Sequence, residues 1–347
     1  MHDIERQDIV GEGESFVVEK SVHAGEIVAV KHLKMCQLGS NLGHRLDKVL
    51  LDLQIMHHKP LRNHPNILRL IGYGWNTQVN NQPMPFIVVE YTHMGSFREY
   101  LRLRQGDTTL DNKFIFIGDV AAGLTALHDC GIVHGDLKLD NVLAFPSRDR
   151  PSNVVAKICD FGHSLVLSQD EHQHKRYCGT SRYNAPEVAD QSHDARSSQD
   201  LDLQKCDIWA YGLLMWEVLK DGDCYFDKSW TQDRSHFTDF SGALEAASDD
   251  LSFSRFDKSH LRELARGFLK EKFGSMHSVG TGSKLSTAIF CGFLVKTLHM
   301  DPAQRPSDLK DFPLLTAWNK LGKAKLSTLL SMHSGKSELT YEVSYPR

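Results

Sequence analysis

At Gly95 the apolar residues of this chain change their period, and that change dictates a fold in two parts. Before it, short apolar runs such as Phe16-Val17-Val18 and Ile27-Val28-Ala29-Val30 alternate with polar residues, and turn signals fall at Gly11, Gly13 and Gly25. Such alternation predicts two or three antiparallel strands over residues 1–35. Leu46, Val49, Leu50, Leu53 and Met56 recur at helical spacing, and Pro60 stops the helix they predict. Ile67–Ile71 and Phe86–Tyr91 read as two further strands with a polar, Asn-rich loop between them. Beyond Gly95 the period is helical: Phe114–His128 carries one apolar face, and Ile208–Leu219 is apolar nearly all round, as a buried helix would be. Polar inserts are expected at 189–203 and 274–284, and the tail after Ser331 lacks periodicity. The expectation is an α+β molecule: a small antiparallel β-sheet lobe with one helix, then a larger, mainly helical lobe.

Composition narrows the setting. Among 347 residues, 40 Lys+Arg against 44 Asp+Glu give a net charge of −4, without the basic footprint of a nucleic-acid binder. The longest nearly apolar stretch, Trp209–Leu219, falls short of the ~20 residues that span a bilayer, so no membrane partner is expected. The start Met1-His2-Asp3-Ile4-Glu5 is no signal peptide, and seven scattered cysteines without a CxxC suit a reducing compartment. A cytoplasmic monomer is expected, with the nucleus equally compatible.

The chemistry lies in an ordered set of short segments. Gly11-Glu12-Gly13-Glu14-Ser15-Phe16 lies within a strand pattern, where glycines let backbone amides approach phosphates. By itself such a GxG is more often a plain hairpin turn. Val28-Ala29-Val30-Lys31 ends an apolar strand in a lysine, which alone reads as a surface charge. Then comes His134-Gly135-Asp136-Leu137-Lys138-Leu139-Asp140-Asn141, in which an Asp, a Lys and an Asn could place a base, a phosphate-binding cation and a metal ligand on one loop. Asp160-Phe161-Gly162 follows, and later Gly179-Thr180-Ser181-Arg182-Tyr183-Asn184-Ala185-Pro186-Glu187. Asp207-Ile208-Trp209-Ala210-Tyr211-Gly212 and Asp301-Pro302-Ala303-Gln304-Arg305-Pro306 complete the series.

In order and spacing, these segments resemble the signature set of the eukaryotic protein kinase superfamily, over roughly residues 8 to 315. The resemblance implies a bilobal kinase-like fold, with an N-lobe over 1–92, a C-lobe over 93–325 and a loosely ordered tail over 326–347. It implies Mg²⁺ and ATP as cofactors and a protein or peptide substrate. Asp136 would orient the substrate hydroxyl, with Lys138 adding charge beside the γ-phosphate. Asp160 and Asn141 would hold the metal, while Gly11, Gly13 and Lys31 would bind phosphates. Adenine would lie against Val18, Ala29 and Leu143, next to the Glu90-Tyr91-Thr92 hinge and a small Val89. Lys138 and Thr180 resemble the serine/threonine class. Glu187 with Arg305 resembles a buried ion pair, Asp207 a binder of catalytic-loop amides, and Met56, Leu70, His134 and Phe161 an apolar column joining the lobes.

Three positions depart from the family. Phe16 replaces the third glycine of the Gly-rich loop. Asp52 stands where a glutamate partner of Lys31 belongs, one methylene short, so helix and lysine must approach ~1 Å closer to pair. Gly135 replaces the arginine that answers an activation-loop phosphate, which implies activity independent of phosphorylation at Ser164, Ser168, Tyr177 or Ser181. The Gly before the catalytic Asp resembles divergent, kinase-like members of filamentous fungi. Two rival readings stand beside the enzyme. A pseudokinase scaffold would bind ATP without turnover. A small-molecule phosphotransferase would share the His-Gly-Asp-Leu loop, but such enzymes lack the Ala-Pro-Glu segment that this chain has at 185–187.

Overall fold

The computed structural model describes residues 4–12, 16–34, 42–76, 84–167, 177–189, 202–226, 258–274 and 290–310. β1 (Ile4–Glu12), β2 (Phe16–His23) and β3 (Glu26–Leu33) form an antiparallel meander. β2 and β3 turn over Ala24 and Gly25, both at positive φ (51° and 81°), which is the two-residue hairpin geometry matched to strand twist. Helix α1 (Leu42–His57) is followed by β4 (Leu70–Asn76) and β5 (Met84–Glu90), closing a five-stranded sheet of order β1-β2-β3-β5-β4.

The strand expected at Ile67–Ile71 begins only at Leu70. Ile67 and Leu68 are drawn instead to the second lobe: Leu68 N donates to Ile158 O at 2.9 Å, and Ile158 N to Asn66 O at 2.9 Å. The run is apolar because both residues are buried against that lobe, not because they belong to the sheet.

The helical lobe starts at α2 (Phe97–Arg102), fixed by a capping box in which Ser96 and Glu99 satisfy each other's backbone amides. α3 (Leu110–Asp129) is capped by Thr109 and begins a turn earlier than the apolar pattern alone indicates. Then follow β6 (Ile132–Val133), β7 (Val142–Pro146), β8 (Val154–Ile158), β9 (Leu165–Val166), α4 (Pro186–Ala189), α5 (Leu203–Leu219) and α6 (Leu261–Gly274). β7 pairs with β8 and β6 with β9, framing the loop that carries Asp136. α5 is buried along its whole length, as its continuous apolar sequence requires.

One apolar cluster runs through both lobes. It contains Met56 of α1, Phe161, and Leu124 and Leu127 of α3, with Leu70 packed against it. Among the described residues no helix is long and apolar enough to cross a membrane. Of the inserts expected at 189–203 and 274–284, residues 190–201 and 275–284 lie outside the described residues, as does the tail expected over 326–347.

Candidate active site

β3 brings Lys31 to the cleft between the lobes, where Nζ lies 2.6 Å from Asp52 Oδ2 of α1 and 3.0 Å from Asp160 Oδ1. The shorter Asp52 thus closes the pair without a glutamate. Its other oxygen accepts from Phe161 N at 2.8 Å, so one carboxylate holds both the lysine and the backbone next to Asp160. Asp52 is therefore bonded to Lys31 and Phe161 rather than standing alone in the cleft. Burial opposes a charge on Lys31, but the two carboxylates outweigh it and hold its pKa above the ordinary value. Burial likewise opposes the charge on Asp160, yet Lys31 brings its carboxyl down to about 2. Phe16 opens β2, is buried, and puts its ring centroid 4.2 Å from the Lys31 ammonium. The residue that replaces a glycine therefore packs on the lysine expected to bind phosphates.

The 134–141 loop is built from its own hydrogen bonds. His134 Nε2 lies 3.1 Å from Cys159 O, and its Nδ1 accepts from Asp136 N at 3.2 Å, which makes it a packing and hydrogen-bonding residue set edge-on to Phe161. Asp136 Oδ2 accepts from Lys138 Nζ at 2.8 Å and Asn141 Nδ2 at 3.0 Å. Its Oδ1 accepts from Thr180 N at 2.8 Å and Thr180 Oγ1 at 2.7 Å. Lys138 also reaches Thr180 Oγ1 at 2.7 Å. Burial raises the Asp136 pKa, but Lys138 and the Thr180 bonds overcome it and hold the carboxylate below its ordinary value. Thr180, absent from the expected catalytic set, is the neighbour that sequence reasoning undervalued; its signal was Gly179-Thr180 ahead of Ala185-Pro186-Glu187.

Asn141 and Asp160 both follow Asp136 in sequence, and Asn141 Nδ2 also donates to Asp136 O at 2.7 Å. Both of Asn141's amide bonds use its nitrogen, which leaves its oxygen as an acceptor. No group of three or more His, Cys, Asp or Glu among the described residues forms a metal cage. One carboxylate and one amide oxygen are the partial set that Mg²⁺ takes when phosphates and water complete its shell, so these residues fit that ion.

Val18 and Leu143 pack against the apolar cluster that contains Ala29 and Val89, and Val89 pairs with Ala29. Glu90 turns its carboxylate to Lys157 Nζ at 2.7 Å and Arg69 N at 2.8 Å, and Thr92 Oγ1 donates to Ala144 O. Their side chains are thus committed to the protein, and any contact with adenine falls to their backbone. Gly11 faces Val18 across β1 and β2, while Gly13 lies outside the described residues.

Two of the four hydroxyls at which phosphorylation is expected to be dispensable are buried. Ser164 is buried and donates to His134 O at 2.9 Å, and Tyr177 is buried with its hydroxyl on Asp207 Oδ1 at 3.0 Å. Ser168 lies outside the described residues. The replacement of arginine by Gly135 has a steric reason: φ is +81° and an added Cβ would lie 2.2 Å from His163 O.

A strand-rich lobe presenting a cation and a helical lobe presenting two carboxylates and an amide define a two-lobed fold of the protein kinase class. The chain belongs to the protein kinase domain family, whose family model matches residues 4–314. It is 35% identical over 165 residues to ephrin type-A receptor 8 of Homo sapiens, covering 46% of this chain and 14% of the receptor. It is 26% identical over 238 residues to MAP kinase-interacting serine/threonine-protein kinase 2 of Xenopus laevis, covering 65% of this chain and 47% of that kinase. The chain therefore spans under half the length of these relatives.

Proposed function

We propose that this chain transfers the γ-phosphate of Mg·ATP to serine or threonine hydroxyls of protein substrates. The observation that carries the residue class is the Lys138–Thr180–Asp136 triangle, all of whose sides are hydrogen bonds. A lysine two residues after the base places charge where the transferred phosphoryl group develops it, and a threonine ties the peptide-side segment to the base. In this reading Lys31 binds the α- and β-phosphates, Asp160 and Asn141 hold Mg²⁺, and Gly11, Gly13, Val18, Ala29, Glu90, Thr92 and Leu143 surround the nucleotide. The bound ion neutralises phosphate charge. Asp136 then gives up the Thr180 hydroxyl and accepts the hydrogen bond of the incoming substrate hydroxyl, orienting its oxygen in line with the γ-phosphorus. The N-lobe (1–92) and C-lobe (93–325) act as one catalytic unit, working as a monomer in the cytoplasm.

A second reading, an ATP-binding scaffold without turnover, is favoured by one contact: Phe16 covering the Lys31 ammonium. The test is Mg²⁺-dependent transfer of labelled γ-phosphate to a mixed Ser, Thr and Tyr peptide pool, with Asp160→Ala as control. Phosphoserine and phosphothreonine that vanish in the variant are the expected result. Phosphotyrosine alone would overturn the residue class. Nucleotide binding without any label would favour the scaffold.

A further inference from the structure

Asp207 of α5 is fully buried, and four groups from three parts of the molecule converge on its carboxylate. Oδ2 accepts from His134 N at 2.7 Å and lies 2.9 Å from His128 Nε2 of α3. Oδ1 accepts from Gly135 N at 3.1 Å and from the Tyr177 hydroxyl at 3.0 Å. Burial and the neighbouring Asp207 charge push the Tyr177 phenol well above its ordinary pKa, so it remains a donor.

Tyr177 begins a segment that touches the catalytic loop at successive points. At Gly179, an added Cβ would lie 2.3 Å from Gly135 O, so the two backbones meet with no room for a side chain. At Thr180, both the amide and the hydroxyl bond Asp136. These contacts differ in kind. The glycine contact is steric fit and exerts no directional pull. The Thr180 hydroxyl contact occupies the oxygen on which a substrate hydroxyl must arrive. Of these three contacts, Tyr177–Asp207 is the one both directional and remote from the reacting atoms, so it persists while substrate binds.

We propose that Tyr177 is a positioning residue: its hydroxyl on Asp207 holds the 177–183 segment against the catalytic loop, doing without phosphate what a phosphate–arginine contact would otherwise do. This rests on the protein kinase reading above. Gly135 leaves no arginine on the loop to receive a phosphate, and Tyr177, the residue offered for phosphorylation, is itself the buried tie.

Tyr177→Phe removes one oxygen and keeps the ring, so it tests the tie with little change in packing. The phosphatase-treated full chain and the variant are compared for KM of a serine/threonine peptide, KM of ATP, and the rate of tryptic cleavage after Arg176. A protease must draw residues on both sides of the bond into its cleft, so cutting there reports release of Tyr177. In the variant, peptide KM is expected to rise about tenfold, the scale of one lost hydrogen bond to a charged group, with ATP KM unchanged and cleavage faster. Unchanged peptide KM with unchanged cleavage would overturn the proposal. So would a joint loss of peptide and ATP binding with a lowered unfolding midpoint, which marks general packing. If the wild-type chain transfers no phosphate, that result counts against the kinase reading alone. The cleavage comparison then still decides the tie: faster cutting supports it and equal rates overturn it.

Discussion

Lys31 carries a charge that the protein surrounds on two sides, and its two partners are unlike. Asp52 is buried, whereas the Asp160 side chain is 40% exposed, so water screens the second pair more than the first. Removing the lysine leaves Asp52 buried with no cation, a defect that typically costs about 3–5 kcal/mol. Lys31→Met is therefore expected to destabilise the chain by about 3 kcal/mol at neutral pH, read from urea unfolding. The pH profile follows from the shifts. Lys31 is raised from 10.5, so its contribution is present below that value and is lost only as pH rises past it. Asp160 is lowered from 3.8 to about 2, so its contribution is present above 3.8 and fades as pH falls towards 2. The gap between wild type and variant should be flat from pH 5 to pH 9 and shrink below pH 4 (values bounded by those pKa limits). A gap that grows on acidification would contradict the assignment.

At the scale of elements, α1 is placed by Asp52 as much as by its apolar face. Both carboxylate oxygens are used, at 2.6 Å and 2.8 Å, in a site 1% exposed. Restoring the family's residue with Asp52→Glu adds a methylene to a filled space, which typically costs about 1–3 kcal/mol. The expected outcome is lower stability and no gain in phosphate transfer. A rise in transfer would mean that the short side chain limits the native site. Elements with one clear period were legible in the chain: α5 from its unbroken apolar run, α3 from its stripe, β2 and β3 around Gly25. β4 was misread because Ile67 and Leu68 are apolar for a partner in the other lobe, and sequence spacing does not say which surface a run will meet. The meetings of Lys31 with Asp160 and of Asp136 with Asn141 were foreseeable because their segments occur in the family's order along the chain. The tie from Tyr177 to Asp207 was not, since it joins residues 30 apart through a hydroxyl with no motif around it.

For the molecule as a whole, the helical lobe is closed by Arg305. Its guanidinium, buried and lying on the Trp209 ring at 5.0 Å, forks onto Glu187 at 2.6 Å and 2.8 Å and donates to the carbonyls of Lys205, His299 and Met300. Arg305→Leu strands Glu187 and three carbonyls, so a loss of about 3–5 kcal/mol is expected in chemical denaturation, with α4 the first region to lose amide-exchange protection. The chain passes from the first lobe to the second at 91–95, and the 64–69 loop, which rests on the second lobe through Asn66 and Leu68, is stitched to the end of β5 where Glu90 N donates to Arg69 O and Arg69 N to Glu90 Oε1. Lys157 fastens the same glutamate to the helical lobe. A crossing sewn to a loop that already rests on the other lobe works like a door hung on one pivot line: sideways shear, which would slide Lys31 past Asp160, meets a resisting seam.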